Sequence, residues 1–261
     1  MRKALLAALV AALVVVAGAA AVGPWPGTVS SVTSAVTGVR YSVSDDGTTT
    51  ELVARRNGQA RTRTLTGVWR IPAVTSTELP GGLSPDGRLL VLVQQPNGST
   101  LRAQSKFLVV ATRSLRVTRA ITLRGEFGFD AVSADRRTLY VIEHGDRNDL
   151  NAYIVRAYDL AAGTLLARPV VAKGEGPTMS GYPVARATTT RGTWVYTLYW
   201  RPNGSTFVHA LGTTQRRAVC LDLQWTTSQP WNSRLALSPD GSKLFVREPS
   251  GALVATVATP A

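Results

Sequence analysis

The chain has 261 residues, a net charge of +13 and a single cysteine, Cys220. One cysteine cannot form an intramolecular disulfide, so a small disulfide-stabilised scaffold is excluded and the fold must depend on its hydrophobic core. Lysine and arginine are scattered along the chain rather than clustered on a helix, and no nucleic-acid-binding motif occurs. We therefore expect no nucleic-acid partner.

The first predicted element is an N-terminal export signal. Met1-Arg2-Lys3 is followed by nineteen uncharged, mostly apolar residues, Ala4 to Val22, which include the small residues Ala19–Ala21. This pattern is typical of a secretory signal peptide, so we expect residues 1–21 to be removed and the protein to be secreted or extracytoplasmic. The alternative is an uncleaved membrane anchor through Ala4 to Val22, because a helix of about 20 residues spans a bilayer.

The rest of the chain is predicted to form short strands with turns between them. We expect a flexible lead over residues 22–37 and a single domain over 38–261, in which no window has helical periodicity. Ser84-Pro-Asp-Gly and Ser238-Pro-Asp-Gly are identical turns, each followed by an apolar run, and degenerate copies begin at Ser133 and Thr189. The starting points 84, 133, 189 and 238 give spacings of 49, 56 and 49 residues. A turn-and-strand unit of this period is typical of propeller blades.

These repeats resemble those of YVTN-type and TolB-like β-propellers, on the segments LSPDGRLLVLV, LALSPDGSKLFV and VRAYDLAAGTLLARPVV. The resemblance implies an all-β fold, a β-propeller of four-stranded antiparallel blades. We expect five blades, with four or six as alternatives, from units that begin at Gly81, Phe127, Tyr182 and Asn232 and a shorter unit over Val39–Leu65. The last unit is one strand short, and an N-terminal strand would complete it and close the ring.

The candidate ligand-binding residues are those expected at the channel mouth. Asp130, His144 and Tyr182 are chosen because they lie where the loops between predicted blades begin or end. Trp200 and Trp225 are chosen because aromatic side chains form the platforms of glycan-binding and peptide-binding clefts. Packing between blades is the alternative role for these aromatic residues.

Three combinations of reactive residues are weighed, and none leads us to predict a catalytic residue. Four carboxylates, Asp130, Glu143, Glu126 and Glu175, would suit glycoside hydrolysis only at separations of about 5 Å or roughly 6.5–9.5 Å. His209 and Cys220 face each other if their hairpin is centred on Thr214–Gln215, but Cys220 has the apolar neighbours of a structural thiol.

The third combination is the polar loop Glu143–Asn151, which packs Asp, Glu, His and Asn into nine residues. It lacks the register of a calcium-binding loop, so we predict no metal site and no cofactor.

The sequence leads us to expect an exported, non-catalytic, monomeric propeller that acts as a binding or protein-interaction module at the bacterial cell surface. Its ligand would be a protein or a cell-wall polymer, and a basic exported protein attracts anionic polymer. The segments Gly125–Asp130, Phe207–Leu211 and Ala218–Asp222 also resemble segments of uncharacterised exported actinobacterial proteins. Two alternatives stay open: a glycoside-directed or lactone-directed hydrolase with carboxylates at the channel mouth, and a sensor ectodomain tethered through Ala4 to Val22.

Overall fold

The computed structural model of the protein describes residues 27–95, 101–145, 149 and 151–260. Every regular element within these ranges is a β-strand. The described residues contain no helix that is long and apolar enough to cross a membrane. The predicted signal peptide, residues 1–21, and its alternative, a membrane anchor through Ala4 to Val22, lie outside the described residues.

The strands are short and closely spaced, as the turn residues between them require. The first nine are β1 (Thr28–Val29), β2 (Ser31–Thr33), β3 (Arg40–Asp45), β4 (Thr49–Arg56), β5 (Gln59–Thr66), β6 (Trp69–Pro72), β7 (Leu89–Gln94), β8 (Gln104–Ala111) and β9 (Arg116–Arg124). The next nine are β10 (Glu126–Val132), β11 (Thr138–His144), β12 (Ala152–Asp159), β13 (Thr164–Leu165), β14 (Met179–Ser180), β15 (Tyr182–Thr188), β16 (Trp194–Trp200), β17 (Ser205–Gly212) and β18 (Arg217–Thr226). The last three are β19 (Arg234–Leu237), β20 (Lys243–Arg247) and β21 (Leu253–Ala258).

Hydrogen bonding groups these strands into five antiparallel sheets that follow one another along the chain. Sheet 1 has the order β2-β3-β4-β5, and sheet 2 has the order β1-β6-β7-β8-β9. Sheet 3 is β10-β11-β12-β13, with β14 also paired to β12, sheet 4 is β15-β16-β17-β18, and sheet 5 is β19-β20-β21. The prediction of an all-β propeller with antiparallel blades is confirmed, and the described residues form as many sheets as the five predicted blades.

Each hydrophobic core lies between two consecutive sheets. Four clusters of buried apolar residues join sheet 1 to 2, 2 to 3, 3 to 4 and 4 to 5. Both faces of strand β7 are covered: Leu90 and Leu92 pack in the first cluster, whereas Val91 and Val93 pack in the second. This explains why the strand is apolar from Leu89 to Val93. Side chains alternate between the two faces of a strand, so a strand covered on both faces is a continuous apolar run.

The repeated Ser-Pro-Asp-Gly segment forms the same hydrogen-bonded turn in each copy. In the first, the Ser84 hydroxyl donates to the Asp86 carboxylate at 2.7 Å and accepts the Leu89 amide at 2.9 Å. The Ser238 hydroxyl likewise donates to the Asp240 carboxylate at 2.5 Å. Gly241 has a φ of 73°, in the left-handed region that favours glycine. The aspartates of these segments therefore stabilise turns.

The N-terminal part of the domain differs from expectation in two respects. Residues 28–33, within the expected flexible lead, form β1 and β2, which pair with β6 and β3. Val29 and Val32 hold these strands in place because their side chains pack into the core between sheets 1 and 2. As a result, the described N-terminal strands join sheets 1 and 2, and sheet 5 has three strands within the described residues.

Candidate functional site

A cavity of 510 Å³ is lined by β2 of sheet 1, by the segment between β6 and β7 of sheet 2, by β10 of sheet 3 and by β15 of sheet 4. Its lining is mostly small and apolar, with hydroxyl groups contributed by the turns, such as those of Ser34 and Ser84. Residues 73–80 leave sheet 2 and reach β15 of sheet 4, where the Ser76 amide donates to the Pro183 carbonyl at 2.7 Å. The cavity is therefore bounded by residues from four sheets, and a loop of sheet 2 contacts the inner strand of sheet 4.

Asp130 lines this cavity, but its carboxylate is bound by an arginine. The Asp130 side chain, on β10, forms a buried ion pair with Arg186 on β15. Arg186 Nη1 also donates to the Asp130 backbone carbonyl at 2.6 Å, and Arg186 Nε donates to Thr197 Oγ1 at 3.1 Å. The pair joins sheets 3 and 4, and hydrogen bonds to charged groups of this kind are the strong ones.

His144 lies on the strand paired with that of Asp130 but lines a different cavity. It is the cross-strand neighbour of Glu126 and lines a cavity of 40 Å³ with Arg102 and Glu126. The Glu126 carboxylate accepts the Arg102 amide at 2.7 Å and Arg102 Nε at 2.8 Å. The His144 ring is buried, with its centroid 5.9 Å from that of Tyr153. This histidine therefore does not join Asp130 in one site.

Two of the predicted aromatic residues do come together, with a third that we did not predict. Tyr182 and Trp200 are cross-strand partners, and Trp231 packs against both; we call these three residues the aromatic cluster. The ring centroids are 5.8 Å apart for Tyr182 and Trp200, 6.3 Å for Tyr182 and Trp231, and 5.7 Å for Trp200 and Trp231. All three side chains are half-buried. Trp200 Nε1 donates to the Thr227 carbonyl at 2.8 Å, which fixes the orientation of its ring.

Trp225 lies outside the aromatic cluster. Its side chain packs, partly buried, in the core between sheets 4 and 5. The sequence does contain a signal for Trp231 as a candidate: it follows Pro230 immediately before sheet 5, and so lies in a connection between blades. Trp225 belongs to β18, where an alternating pattern points its side chain toward the neighbouring sheet.

Three of the four carboxylates considered for catalysis are held by arginines. Asp130 pairs with Arg186 on the neighbouring sheet, Glu126 with Arg102 in the segment before β8, and Glu143 with Arg156 on the adjacent strand. The fourth, Glu175, is exposed in the connection before β14. Within the described residues, no group of three or more His, Cys, Asp or Glu side chains converges so as to hold a metal ion. Part of the polar loop Glu143–Asn151 lies outside the described residues.

His209 and Cys220 are directly opposite each other on β17 and β18, as the predicted hairpin requires. Their protonation states are the reverse of a catalytic dyad, however. Burial lowers the pKa of His209 to about 4 and raises the pKa of Cys220 to about 11, with nearby Glu175 and Asp222 adding to the latter shift. At neutral pH the imidazole is neutral and the thiol keeps its proton, whereas nucleophilic attack requires the thiolate.

No protein-family model and no curated protein matches this chain. Solved structures do match: hydrazine synthase of Kuenenia stuttgartiensis has a TM-score of 0.52 and 14% identity over 87% of this chain and 70% of that chain. TolB of Acinetobacter baumannii has a TM-score of 0.50 and 12% identity over 90% of this chain and 55% of TolB. An oligogalacturonate lyase in complex with manganese has a TM-score of 0.50 and 11% identity over 86% and 63% of the two chains. Identities this low establish the fold alone. The chain is similar to these proteins in being a β-propeller.

Proposed function

We propose that this protein is an exported, non-catalytic binding module of the bacterial cell surface, and that the aromatic cluster is its binding surface for a cell-wall polysaccharide. The observation that carries the proposal is the convergence of Tyr182, Trp200 and Trp231, whose ring centroids lie within 6.3 Å of one another while their side chains stay partly exposed. Saccharide rings bind to such surfaces by placing their apolar C–H faces against aromatic rings.

The cluster is suited to binding because it is already ordered. The hydrogen bond from Trp200 to the Thr227 carbonyl and the mutual packing of the three rings restrict their rotation. A ligand therefore orders few side chains when it binds, which lowers the entropic cost of association. Gln229 and Asn232, which are exposed next to the cluster in the chain, supply amide groups for the hydroxyls of a sugar.

The charge of the protein favours an envelope ligand. Its net charge of +13 attracts anionic wall polymer over a range set by the ionic strength. The prediction that the protein is exported and monomeric belongs to this proposal, with the tethered sensor ectodomain as an alternative. Mass spectrometry of the N-terminus separates the two: a mature protein that starts near Val22 would support secretion, and one that starts at Met1 would favour the tether.

A binding role is better supported than hydrolysis. The central cavity is lined mostly by small apolar residues, and Asp130, the carboxylate that lines it, is paired with Arg186; Glu126, at the smaller cavity, is paired with Arg102. A general acid or base needs a carboxyl group that is free to exchange a proton with the substrate. The hydrolase alternative would require these ion pairs to open in the presence of substrate.

Co-sedimentation with insoluble peptidoglycan tests the proposal. We expect Trp231→Ala to weaken binding by about tenfold or more, because an aromatic anchor contributes roughly 2 kcal/mol or more to an interface. Trp225→Ala is the matched control. It also removes a tryptophan side chain near the contact between sheets 4 and 5, but one that lies outside the aromatic cluster. Equal loss of binding in both variants, or no loss in Trp231→Ala, would overturn the proposed site.

A further inference from the structure

The outer edge of sheet 5 differs from those of sheets 1, 2 and 4. Sheets 1, 2 and 4 have four or five strands each, whereas the described part of sheet 5 ends with its third strand, β21. The outermost strands of the other three carry charged residues, namely Arg61 and Arg63 in β5, Arg119 and Arg124 in β9, and Asp222 in β18. Strand β21, Leu253–Ala258, carries none. Charged side chains discourage pairing at a strand edge, and β21 lacks this protection.

The backbone of β21 presents hydrogen-bonding groups at this edge. The Thr259 amide donates to the Ser242 carbonyl at 3.0 Å, which directs it toward β20. Amides of an antiparallel strand point alternately to its two sides. The amides of Ala255 and Val257 therefore also point toward β20, and those of Thr256 and Ala258 point toward the opposite edge, at which no described strand pairs. An added strand would find two donors in register there.

Apolar residues of sheet 4 beside this edge are incompletely covered. Val219 and Leu221 on β18 face sheet 5 and are only half-buried. Ile121 and Leu123, which face sheet 3 from the outer strand of sheet 2, are buried to 2% and 7% exposure. Sheet 5 has three described strands, and none lies beyond β21 to cover Val219 and Leu221. Apolar side chains of an added strand would cover Val219 and Leu221.

The opposite face of sheet 5 is cationic. Lys243 and Arg247 are exposed on either side of half-buried Phe245, on the face of β20 that points away from sheet 4. Neither cation forms an ion pair within the described residues. Acidic side chains on this face of an added strand would be attracted to both. A second copy of this chain would bring like charge instead, since its net charge is +13.

We propose that an extended segment of a partner protein, with alternating apolar and acidic residues, binds beside β21 as the fourth strand of sheet 5. Its backbone pairs with the amides of Thr256 and Ala258. Its apolar side chains cover Val219 and Leu221, and its acidic side chains lie toward Lys243 and Arg247. Main-chain hydrogen bonds supply affinity in this mode of recognition, and the alternating side chains supply specificity. This surface shares no residue with the aromatic cluster, and the proposal does not depend on it.

The test uses the full chain and two synthetic peptides of equal length, one alternating Val and Glu and the other alternating Val and Lys. Hydrogen exchange followed by NMR reports on the amides of Thr256 and Ala258. We expect the Val/Glu peptide to slow their exchange by about tenfold or more and to bind about tenfold more tightly than the Val/Lys peptide. Lys243→Glu should remove this preference, whereas the matched charge change Lys173→Glu should leave it intact.

A second variant tests the backbone pairing. Thr256→Pro removes an edge-facing amide that the ladder with β20 does not use, so it should abolish peptide binding while the melting temperature is preserved. The proposal is overturned if neither peptide slows exchange. It is also overturned if both amides are already as protected as that of Val257 without peptide. Protection that depends on protein concentration would then identify a second copy as the occupant, and protection independent of concentration would identify another segment of this chain.

Discussion

His209 should make the stability of this protein depend on pH between 4 and 6.5. The side chain is 3% exposed on β17, and its Nε2 makes no hydrogen bond within the part of the chain that the structure describes. Burial disfavours the imidazolium and lowers the pKa of His209 from 6.5 to about 4; the charge of nearby Asp130 opposes this shift, and that of Arg186 adds to it. The folded protein therefore binds a proton at this site less readily than the unfolded chain does.

The size and sign of the effect follow from this shift. Below pH 6.5 the unfolded chain is protonated at His209 and the folded protein is not, so the free energy of unfolding falls as the pH falls toward 4. The stability associated with the neutral buried imidazole is fully present above pH 6.5. Each pKa unit corresponds to about 1.4 kcal/mol, so a shift from 6.5 to about 4 predicts a loss of roughly 3 kcal/mol across this window.

Urea unfolding of the wild type and of His209→Gln at pH 7 and pH 4 measures this contribution. Glutamine is close to histidine in size and does not titrate, and the carboxylates common to both proteins cancel when the two pH dependences are compared. We expect the wild type to lose about 3 kcal/mol more than the variant between the two pH values. Equal losses in both proteins would refute the assignment of a buried neutral imidazole.

Three further predictions concern buried or closely packed positions. Arg186→Met should lower the free energy of unfolding, measured in urea, by about 3–5 kcal/mol because it leaves the Asp130 carboxylate buried and unpaired. Adding Asp130→Asn should recover part of that loss. If the effects of the two substitutions were simply additive, the pairing would be contradicted. The Cys220 thiol, with its pKa raised to about 11, should react with iodoacetamide at pH 8 much more slowly in the native protein than in urea. Equal rates in the two conditions would contradict the raised pKa. Gly192→Ala should lower the melting temperature because the new methyl group would overlap Pro85 Cγ and Cβ, and Pro85→Gly, which removes both atoms, should restore part of it. No change in Gly192→Ala would contradict this contact.

Features set by neighbouring residues could be predicted from the sequence. The Ser84 and Asp86 side chains hydrogen-bond to each other and to the amides that follow, so the turn forms wherever the motif occurs. The opposition of His209 and Cys220 followed from the length of one hairpin. In both cases the partners are close in the chain, and local turn chemistry limits the possible geometries.

Features that depend on distant residues could not be predicted. Asp130 was placed at a channel mouth, yet its partner, Arg186, lies 56 residues away on another sheet, and no local pattern links the two. Trp231 joins Tyr182 and Trp200 through contact between sheets 4 and 5. Such contacts arise from how whole sheets pack together, which the order of turns and strands does not specify.

NMR of the tryptophan indole groups tests the proposed binding surface most directly. The protein would be titrated with soluble peptidoglycan fragments while the indole N–H resonances are followed. We predict that the resonances of Trp200 and Trp231 shift with a common saturation curve and that the resonance of Trp225 does not. Absence of any shift, or a shift of Trp225 as large as that of Trp231, would contradict the assignment of polysaccharide binding to the aromatic cluster.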